Sequence, residues 1–127
     1  MHTLDTFLNA HYPAPQSDSL IVYVVRKLLS AQDIPPKNQD IAHDVSLSVS
    51  QFERRFKQAT GVQPKTLTRL IRFEAVCDAI WQNPKQSLAA LAVTFGYTDQ
   101  AHFVHDFKSL ASETPTTFAR RAVDHAP

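Results

Sequence analysis

SVSQFERRFKQATGVQP, residues 48–64, is the stretch that decides the fold, because DQAHFVHDFKSLASETP at residues 99–115 repeats its pattern 51 residues later. In both stretches two phenylalanines stand four residues apart, a lysine follows the second one, and a proline comes seven residues after that lysine. Just upstream, IAHDVSL at residues 41–47 corresponds to LAVTFGY at residues 91–97, at an offset of 50. The chain therefore carries two copies of one structural unit, and the second copy has one extra residue between its halves.

Each copy predicts a short helix, a tight turn and a second helix. The predicted helices span residues 38–45 and 49–59 in the first copy and residues 88–95 and 99–110 in the second. Ser48 and Gln51 form a capping-box pattern that marks a helix start, and Gly61 supplies the left-handed residue that ends this helix. Gly96 permits the positive φ that the turn of the second copy needs, whereas Ser46 occupies that place in the first copy at a steric cost. Such a helix-turn-helix is typical of proteins that place the second helix, the recognition helix, in the DNA major groove.

Three more helices complete the predicted fold. They span residues 18–32, residues 64–81 and a short segment that begins after Thr114 with Pro115 in its first turn. Seven helices and no strand make an all-α fold, in which two helix-turn-helix subdomains are joined by a long connecting helix. The predicted division is an N-terminal tail or linker at 1–17, a first subdomain at 18–63, the connecting helix at 64–83, a second subdomain at 84–122 and a C-terminal tail at 123–127.

Composition excludes several classes of protein. The chain has no apolar run of about eighteen residues, so we expect no transmembrane helix and no membrane partner. Its N-terminus lacks the basic and apolar regions of a signal peptide, so we expect none. A single cysteine rules out an internal disulfide framework and is typical of a reducing compartment. The sequence therefore predicts a cytoplasmic protein.

The net charge of +1 conceals an uneven distribution of charge along the chain. From Arg54 to Arg72 there are six basic residues and no acidic one. From Phe73 to Ala119 there are two basic residues and five acidic ones. Because a solvated helical surface usually mixes the two signs, this separation predicts that the first copy and the helix after it bind a polyanion.

The first recognition helix presents hydrogen-bonding groups on the side opposite its phenylalanines. If Phe52 points inward, Ser50, Arg54 and Lys57 point outward, and Gln51, Glu53 and Gln58 flank them. Arginine suits guanine, glutamate suits the cytosine amino group and glutamine suits adenine. We therefore predict base contacts from Ser50, Gln51, Glu53 and Arg54, and a phosphate contact from Lys57 near the helix end.

The second recognition helix has a nearly uncharged outward surface. The same geometry turns Ala101, His105 and Lys108 outward and leaves Gln100 exposed at the helix start. Apolar contact with thymine methyl groups and a hydrogen bond from Gln100 suit this surface. We predict that the first copy supplies most of the DNA affinity and that the second adds weak or shape-dependent recognition. The predicted phosphate contacts of the whole chain are Lys57, Lys65, Lys108 and Arg120.

The connecting helix sets the expected spacing of the two recognition helices. Eighteen residues from Pro64 to Trp81 give a length of about 27 Å at 1.5 Å per residue. Successive major-groove segments on one face of DNA are about 34 Å apart. A rigid helix of this length predicts that one monomer binds two adjacent major-groove segments, so its site need not be palindromic.

Over residues 18–122 the chain resembles the C-terminal DNA-binding domain of AraC/XylS-type bacterial transcription regulators. The motifs that carry the resemblance are F-E-R-R-F-K-(x3)-G-(x2)-P from residue 52 and G-Y-(x2)-Q-A-H-F-(x3)-F-K-(x6)-P from residue 96. The resemblance implies two helix-turn-helix subdomains joined by a long helix, and binding to a double-stranded DNA operator that usually activates transcription. It also implies RNA polymerase as a partner and an upstream effector-binding or dimerisation domain that this chain does not contain.

The resemblance also assigns positions on the two recognition helices. The family's base-facing positions correspond to Ser50, Glu53 and Arg54 in the first copy and to Gln100, Ala101 and His105 in the second. Ser112 replaces the usual glycine after the second recognition helix, so we expect that helix to end less sharply. His105 stands where the family commonly has arginine, which weakens the expected binding of the second copy at pH 7.

Two other classes of protein compete with a DNA-binding domain. An enzyme would need a reactive group, but Cys77 lies on the apolar side of the connecting helix, where a buried thiol is inert. His102, His105 and Asp106 have the spacing of metal ligands, but no fourth donor accompanies them. We therefore expect no catalytic residues, no metal and no cofactor. The weakly charged second copy keeps open a helical protein-interaction module, a truncated regulator that contacts polymerase or another partner and has little DNA affinity of its own.

Overall fold

A computed structural model describes residues 18–30 and 34–125. Within these two ranges the chain forms seven α-helices and no strand, which confirms the predicted all-α fold. The helices are α1 Ser19–Ser30, α2 Asn38–Asp44, α3 Val49–Thr60, α4 Pro64–Gln82, α5 Leu88–Thr94, α6 Gln100–Ala111 and α7 Pro115–Asp124. The predicted tail at residues 1–17, the end of the first helix at Gln32 and the end of the C-terminal tail lie outside the described residues.

The chain divides into two compact units, and the division falls inside α4 between Arg72 and Phe73. Helix α4 is continuous through this point, so its first half belongs to the first unit and its second half to the second unit. The predicted connecting helix at residues 64–83 is therefore part of both units. The subdomain boundaries drawn from the sequence stay a prediction.

In the first unit, buried core residues recur every three or four positions along the helices, which is the spacing of amphipathic helices. Phe52 and Phe56, one turn apart on α3, are fully buried, and their ring centroids lie 5.7 Å apart in an edge-to-face arrangement. The other buried core residues are Ile21, Val24, Leu28, Ile41, Ala42, Leu67 and Ile71. Burial of one such phenylalanine contributes about 1.5–3 kcal/mol. The predicted orientation of α3 is confirmed.

The second unit builds the same core from the second copy of the repeat. Phe103 and Phe107 of α6 are buried, with centroids 6.1 Å apart, and Phe73 of α4 packs against Phe107 at 5.1 Å. The other buried core residues are Val76, Ile80, Leu91, Ala92 and Tyr97. Ala42 and its counterpart Ala92 are both buried, as expected for small residues where paired helices approach closely.

Serine and glycine exchange places between the two units at the left-handed backbone positions. In the turns, φ is 60° at Ser46 and 76° at Gly96; after the recognition helices, φ is 84° at Gly61 and 62° at Ser112. The Ser112 amide donates to the Lys108 carbonyl at 2.9 Å, as the Gly61 amide donates to the Lys57 carbonyl at 2.8 Å. The expectation that α6 ends less sharply is therefore wrong. Serine adopts the same left-handed cap and bears the steric cost.

Each recognition helix also begins with a side-chain cap. The predicted capping box is confirmed at α3, where the Gln51 amide donates to Ser48 Oγ at 3.1 Å and the Ser48 amide donates to Gln51 Oε1 at 3.0 Å. At α6 the cap is Asp99, whose Oδ1 accepts from the His102 amide at 2.7 Å. Both caps satisfy amides that would otherwise lack partners in the first turn.

Candidate nucleic-acid interface

Helix α3 presents the predicted polar side chains to solvent. Ser50, Arg54 and Lys57 are exposed on the side opposite the buried phenylalanine pair, and Glu53 is half-buried beside them. With Gln58 and Gln63, these four residues line a shallow open groove. The sequence prediction placed these four side chains on one surface, and the structure confirms that placement. Cationic and hydrogen-bonding groups along one helix suit phosphates and base edges together.

Gln51 lies at the edge of this surface, and the capping box engages its side chain. Gln51 Oε1 accepts the Ser48 amide at 3.0 Å. A bidentate contact to adenine needs both the acceptor oxygen and the donor nitrogen of a glutamine amide. While the cap is formed, Gln51 Oε1 is engaged by the Ser48 amide. The base contact assigned to Gln51 stays a prediction.

Arg55 belongs to the basic stretch in the sequence, but its guanidinium binds a carboxylate. Arg55 Nε donates to Asp18 Oδ2 at 3.0 Å, and a terminal nitrogen of Arg55 donates to Asp18 Oδ1 at 2.8 Å. Hydrogen bonding from Arg55 lowers the pKa of Asp18 below its ordinary value, and burial opposes this effect more weakly. The sequence analysis missed this pair, because the two residues are 37 positions apart and nothing local links them.

Two other predicted phosphate contacts lie outside the recognition helices. Lys65 is exposed in the first turn of α4, directly after Pro64. A helix N-terminus favours anions, so a phosphate near Lys65 would meet both the ammonium group and the helix dipole. Arg120 is exposed on α7, whereas its neighbour Arg121 is paired with Glu113 at 2.8 Å. Lys65 lies in the first unit and Arg120 in the second.

Helix α6 presents the predicted but much less charged surface. Gln100, Ala101, His105 and Lys108 are exposed, and Val104 is half-buried between them. Lys108, in the last turn, is the only lysine or arginine that α6 contains. The predicted orientation of the second recognition helix is therefore confirmed. Helix α6 therefore has its side chains oriented as in a recognition helix, but its exposed surface carries little positive charge.

Two of the three candidate metal ligands on α6 make hydrogen bonds within the second unit. His102 Nδ1 accepts from the Thr98 amide at 3.3 Å, and Asp106 Oδ2 accepts from the Tyr97 hydroxyl at 3.3 Å. Among the residues described, no group of three or more histidine, cysteine, aspartate or glutamate side chains is placed to hold a metal ion. None of the helices in the described ranges is both long enough and apolar enough to cross a membrane.

Cys77 is in an environment that suppresses its nucleophilic form. Burial raises the pKa of the Cys77 thiol to about 12, and the carboxylates of Asp78, Glu74 and Glu113 act in the same direction. Reactive cysteines instead sit near positive charge and carry a lowered pKa. Cys77 therefore has the environment of a packing residue.

Sequence comparison assigns the family. A family model described as a helix-turn-helix domain matches residues 41–121. An uncharacterised HTH-type transcriptional regulator of Haemophilus influenzae is 27% identical over 82 residues, which are 65% of this chain and 27% of that protein. The HTH-type transcriptional regulator GlxA of Rhizobium meliloti is 28% identical over 102 residues, which are 80% of this chain and 31% of that protein. The chain thus spans less than a third of the length of these curated relatives.

Solved structures share the fold. A transcriptional regulator with an AraC-type DNA-binding domain from Chromobacterium violaceum superposes with a TM-score of 0.69 at 21% identity, covering 84% of this chain and 95% of that one. The C-terminal domain of AraT, a response regulator from Geobacillus stearothermophilus, gives a TM-score of 0.71 at 18% identity, with coverages of 84% and 88%.

The chain belongs to the helix-turn-helix domain family of AraC-type transcription regulators. The resemblance stated from the sequence is thereby confirmed. Family membership supports sequence-specific DNA binding and does not favour the protein-interaction module.

Proposed function

We propose that this domain binds double-stranded DNA with α3 and α6 in two adjacent major-groove segments, and that α3 supplies most of the affinity. Family membership supports DNA binding itself. The difference between the helices rests on one observation: α3 exposes Arg54 and Lys57, whereas the matching positions of α6 carry His105 and Lys108. Because phosphate charge dominates affinity for DNA, the more cationic helix binds more strongly.

On α3, the base contacts come from Ser50, Gln51, Glu53 and Arg54. Arg54 is the principal contact, because its planar guanidinium binds the two guanine acceptors in the major groove. Glu53 is half-buried and accepts a hydrogen bond from a cytosine amino group. Lys57, one turn nearer the helix end, binds phosphate together with Lys65.

On α6, the base contacts come from Gln100, Ala101 and His105. The Ala101 methyl group packs against a thymine methyl, and Gln100 donates or accepts at a base edge. Lys108 and Arg120, both exposed, bind phosphate. These contacts add sequence preference and little salt-dependent affinity, since few of them are charged.

A wider proposal concerns a full-length regulator that would contain this domain. The relatives are more than three times as long as the segment that this chain matches, which is 27% of one and 31% of the other. We infer a cytoplasmic regulator that carries an effector-binding or dimerisation domain upstream, contacts RNA polymerase and activates transcription from an operator.

Selection of bound sequences from a random duplex pool tests the proposal. The expected result is a preferred sequence with two blocks of constrained bases about one helical turn apart. The more strongly constrained block should be the one whose base preference changes when the selection is repeated with Arg54→Ala, which assigns that block to α3. Affinity for that duplex should fall steeply as salt rises, because bound cations release counterions from DNA. A flat salt response, or no preferred sequence, would contradict the proposal.

A further inference from the structure

We propose that the Asp18–Arg55 ion pair is a positioning element, which fixes the rotation of α3 about its own axis and thereby directs Arg54 toward its base. This inference rests on the proposed DNA-binding function of α3. Arg55 is the residue next to Arg54, so any rotation of α3 moves both side chains together.

The pair anchors α3 to the start of α1. Asp18 precedes α1, where its Oδ1 accepts the Ile21 amide at 3.3 Å and its carbonyl accepts the Val22 amide at 3.1 Å. Both carboxylate oxygens also accept from Arg55, at 3.0 and 2.8 Å. The carboxylate is thus held by α1, and the guanidinium is held by the carboxylate. A two-bond contact of this kind fixes orientation as well as distance.

The core alone does not fix rotation as strictly. Phe52 and Phe56 keep one side of α3 buried, and the apolar driving force of that burial is less directional than a two-bond ion pair. With side chains, a helix has a radius of about 5–6 Å, so a rotation of about 10° moves the tip of an outward side chain by about 1 Å. Binding sites tolerate errors of about 0.5 Å and 10–20°. A rotation of α3 by about 10° would therefore displace the Arg54 guanidinium far enough to weaken its contact with a base.

The second unit uses a different contact at the corresponding position. Residue 106 aligns with Arg55 at the offset of 51, and it is an aspartate whose Oδ2 accepts from the Tyr97 hydroxyl at 3.3 Å. Tyr97 lies in the turn directly before α6. The recognition helix of the second unit is therefore restrained from its own turn, and that of the first unit from α1. The Asp18–Arg55 contact is a feature of α3.

Asp18→Asn isolates the ion pair from the helix cap. Asparagine keeps an oxygen that accepts the Ile21 amide but loses the charge that binds Arg55. Asp44→Asn is the matched control, because Asp44 is an exposed acid of the first unit and the change in net charge is the same. Affinities are measured for the selected duplex and for a random duplex at several salt concentrations. The ratio of the affinity for the selected duplex to that for the random duplex is the measured quantity. A general change in net charge alters both affinities and leaves this ratio unchanged.

The expected result is a fall of about tenfold in this ratio for Asp18→Asn, a large part of what one good bidentate base contact provides. Asp44→Asn should leave the ratio unchanged. Equal ratios in the two variants would overturn the proposal. A rise in specific affinity with a steeper salt dependence would also overturn it, because Asp18 would then be withholding Arg55 from phosphate.

A second measurement uses the unmodified chain without DNA. Hydrogen exchange at Arg55 Nε, followed by NMR, should be slower than at Arg54 Nε, because only the former donates to a carboxylate that α1 holds in place. Equal exchange rates would overturn the proposal even if Asp18→Asn failed to fold. If the unmodified chain selects no duplex while Arg55 Nε is protected, the proposed function fails and the restraint on α3 stands.

Discussion

The two units of this domain share a scaffold and differ on the surface that the scaffold presents. The buried phenylalanines of α3 and α6 occupy matching positions, and both recognition helices end in a left-handed residue. The exposed side chains at matching positions differ: Arg54 corresponds to His105, and Ser50 to Ala101. The repeat therefore preserves the buried phenylalanines, and it varies exposed positions other than the shared Lys57 and Lys108. The repeated positions build the fold, and the positions that differ include those proposed to set the DNA preference.

A second difference concerns the restraint on each recognition helix. In the first unit Arg55 pairs with Asp18, which precedes α1. In the second unit Asp106 accepts from Tyr97 within the helix-turn-helix itself. The more charged recognition helix is thus held by a separate helix, and the less charged one by its own turn. Different residues therefore restrain the recognition helix in each of the two units.

The largest expected effect comes from removing one buried ring in each unit. Phe52→Ala and Phe103→Ala should each lower the free energy of unfolding of their own unit by about 3–5 kcal/mol. Trp81 is the only tryptophan and lies in the second unit, so its fluorescence during urea denaturation reports that unit, while circular dichroism reports both. Phe52→Ala should abolish DNA binding, and Phe103→Ala should leave weak, salt-dependent binding. Equal loss of DNA binding in both variants would remove the distinction between the units.

A smaller effect is expected from giving α6 the charge that α3 has. His105→Arg should strengthen binding by about 1 kcal/mol, because arginine adds a cation and a bidentate donor on the exposed surface. The slope of log affinity against log salt should steepen by about 0.9. Gln82→Arg is the matched control, since it adds the same charge at an exposed position at the end of α4. If the control strengthened binding equally, net charge rather than the α6 surface would be the cause.

The exchanged serines and glycines predict effects of opposite sign. Ser46→Gly should stabilise the first unit by about 1 kcal/mol, because glycine removes the steric cost of a left-handed residue at φ 60°. Gly96→Ser should destabilise the second unit by a similar amount. Native-state hydrogen exchange, resolved by unit, measures both changes. The same sign in both variants would contradict the steric explanation.

The smallest expected effect is a loss of folding stability at acid pH that is confined to the first unit. Arg55 lowers the pKa of Asp18 below its ordinary value of 3.8, so the pair stabilises the folded state above about pH 3.8. This stabilisation is lost as pH falls through the lower, folded-state pKa. The stability difference between the unmodified chain and Asp18→Asn should therefore be constant near neutral pH and shrink in acid. A difference that does not change down to pH 2 would contradict the ion pair.

Local patterns made much of the fold predictable. The phenylalanine spacing, the capping box at Ser48 and the stop at Gly61 act within one or two helical turns, and the structure reproduces each of them. The exposed surface of α3 followed from the same spacing, because burial of Phe52 leaves a defined opposite side. These features therefore follow from residues that lie close together in the sequence.

The features that the sequence analysis missed depend on partners. The pairing of Arg55 with Asp18 requires the packing of α1 beside α3, which no pattern in residues 48–64 specifies. Counting charges along the chain therefore did not reveal that Arg55 is paired with a carboxylate. Ser112 was expected to weaken a helix end, but backbone hydrogen bonding outweighs the steric cost of its left-handed conformation.

The unequal contribution of the two recognition helices is tested most directly by comparing Arg54→Ala with Gln100→Ala on the same selected duplex. Arg54→Ala should cost about 1–3 kcal/mol of binding free energy, and it should relax the preference for one base. Gln100→Ala should cost clearly less, because α6 contributes few charged contacts. An equal or larger loss for Gln100→Ala would contradict the account.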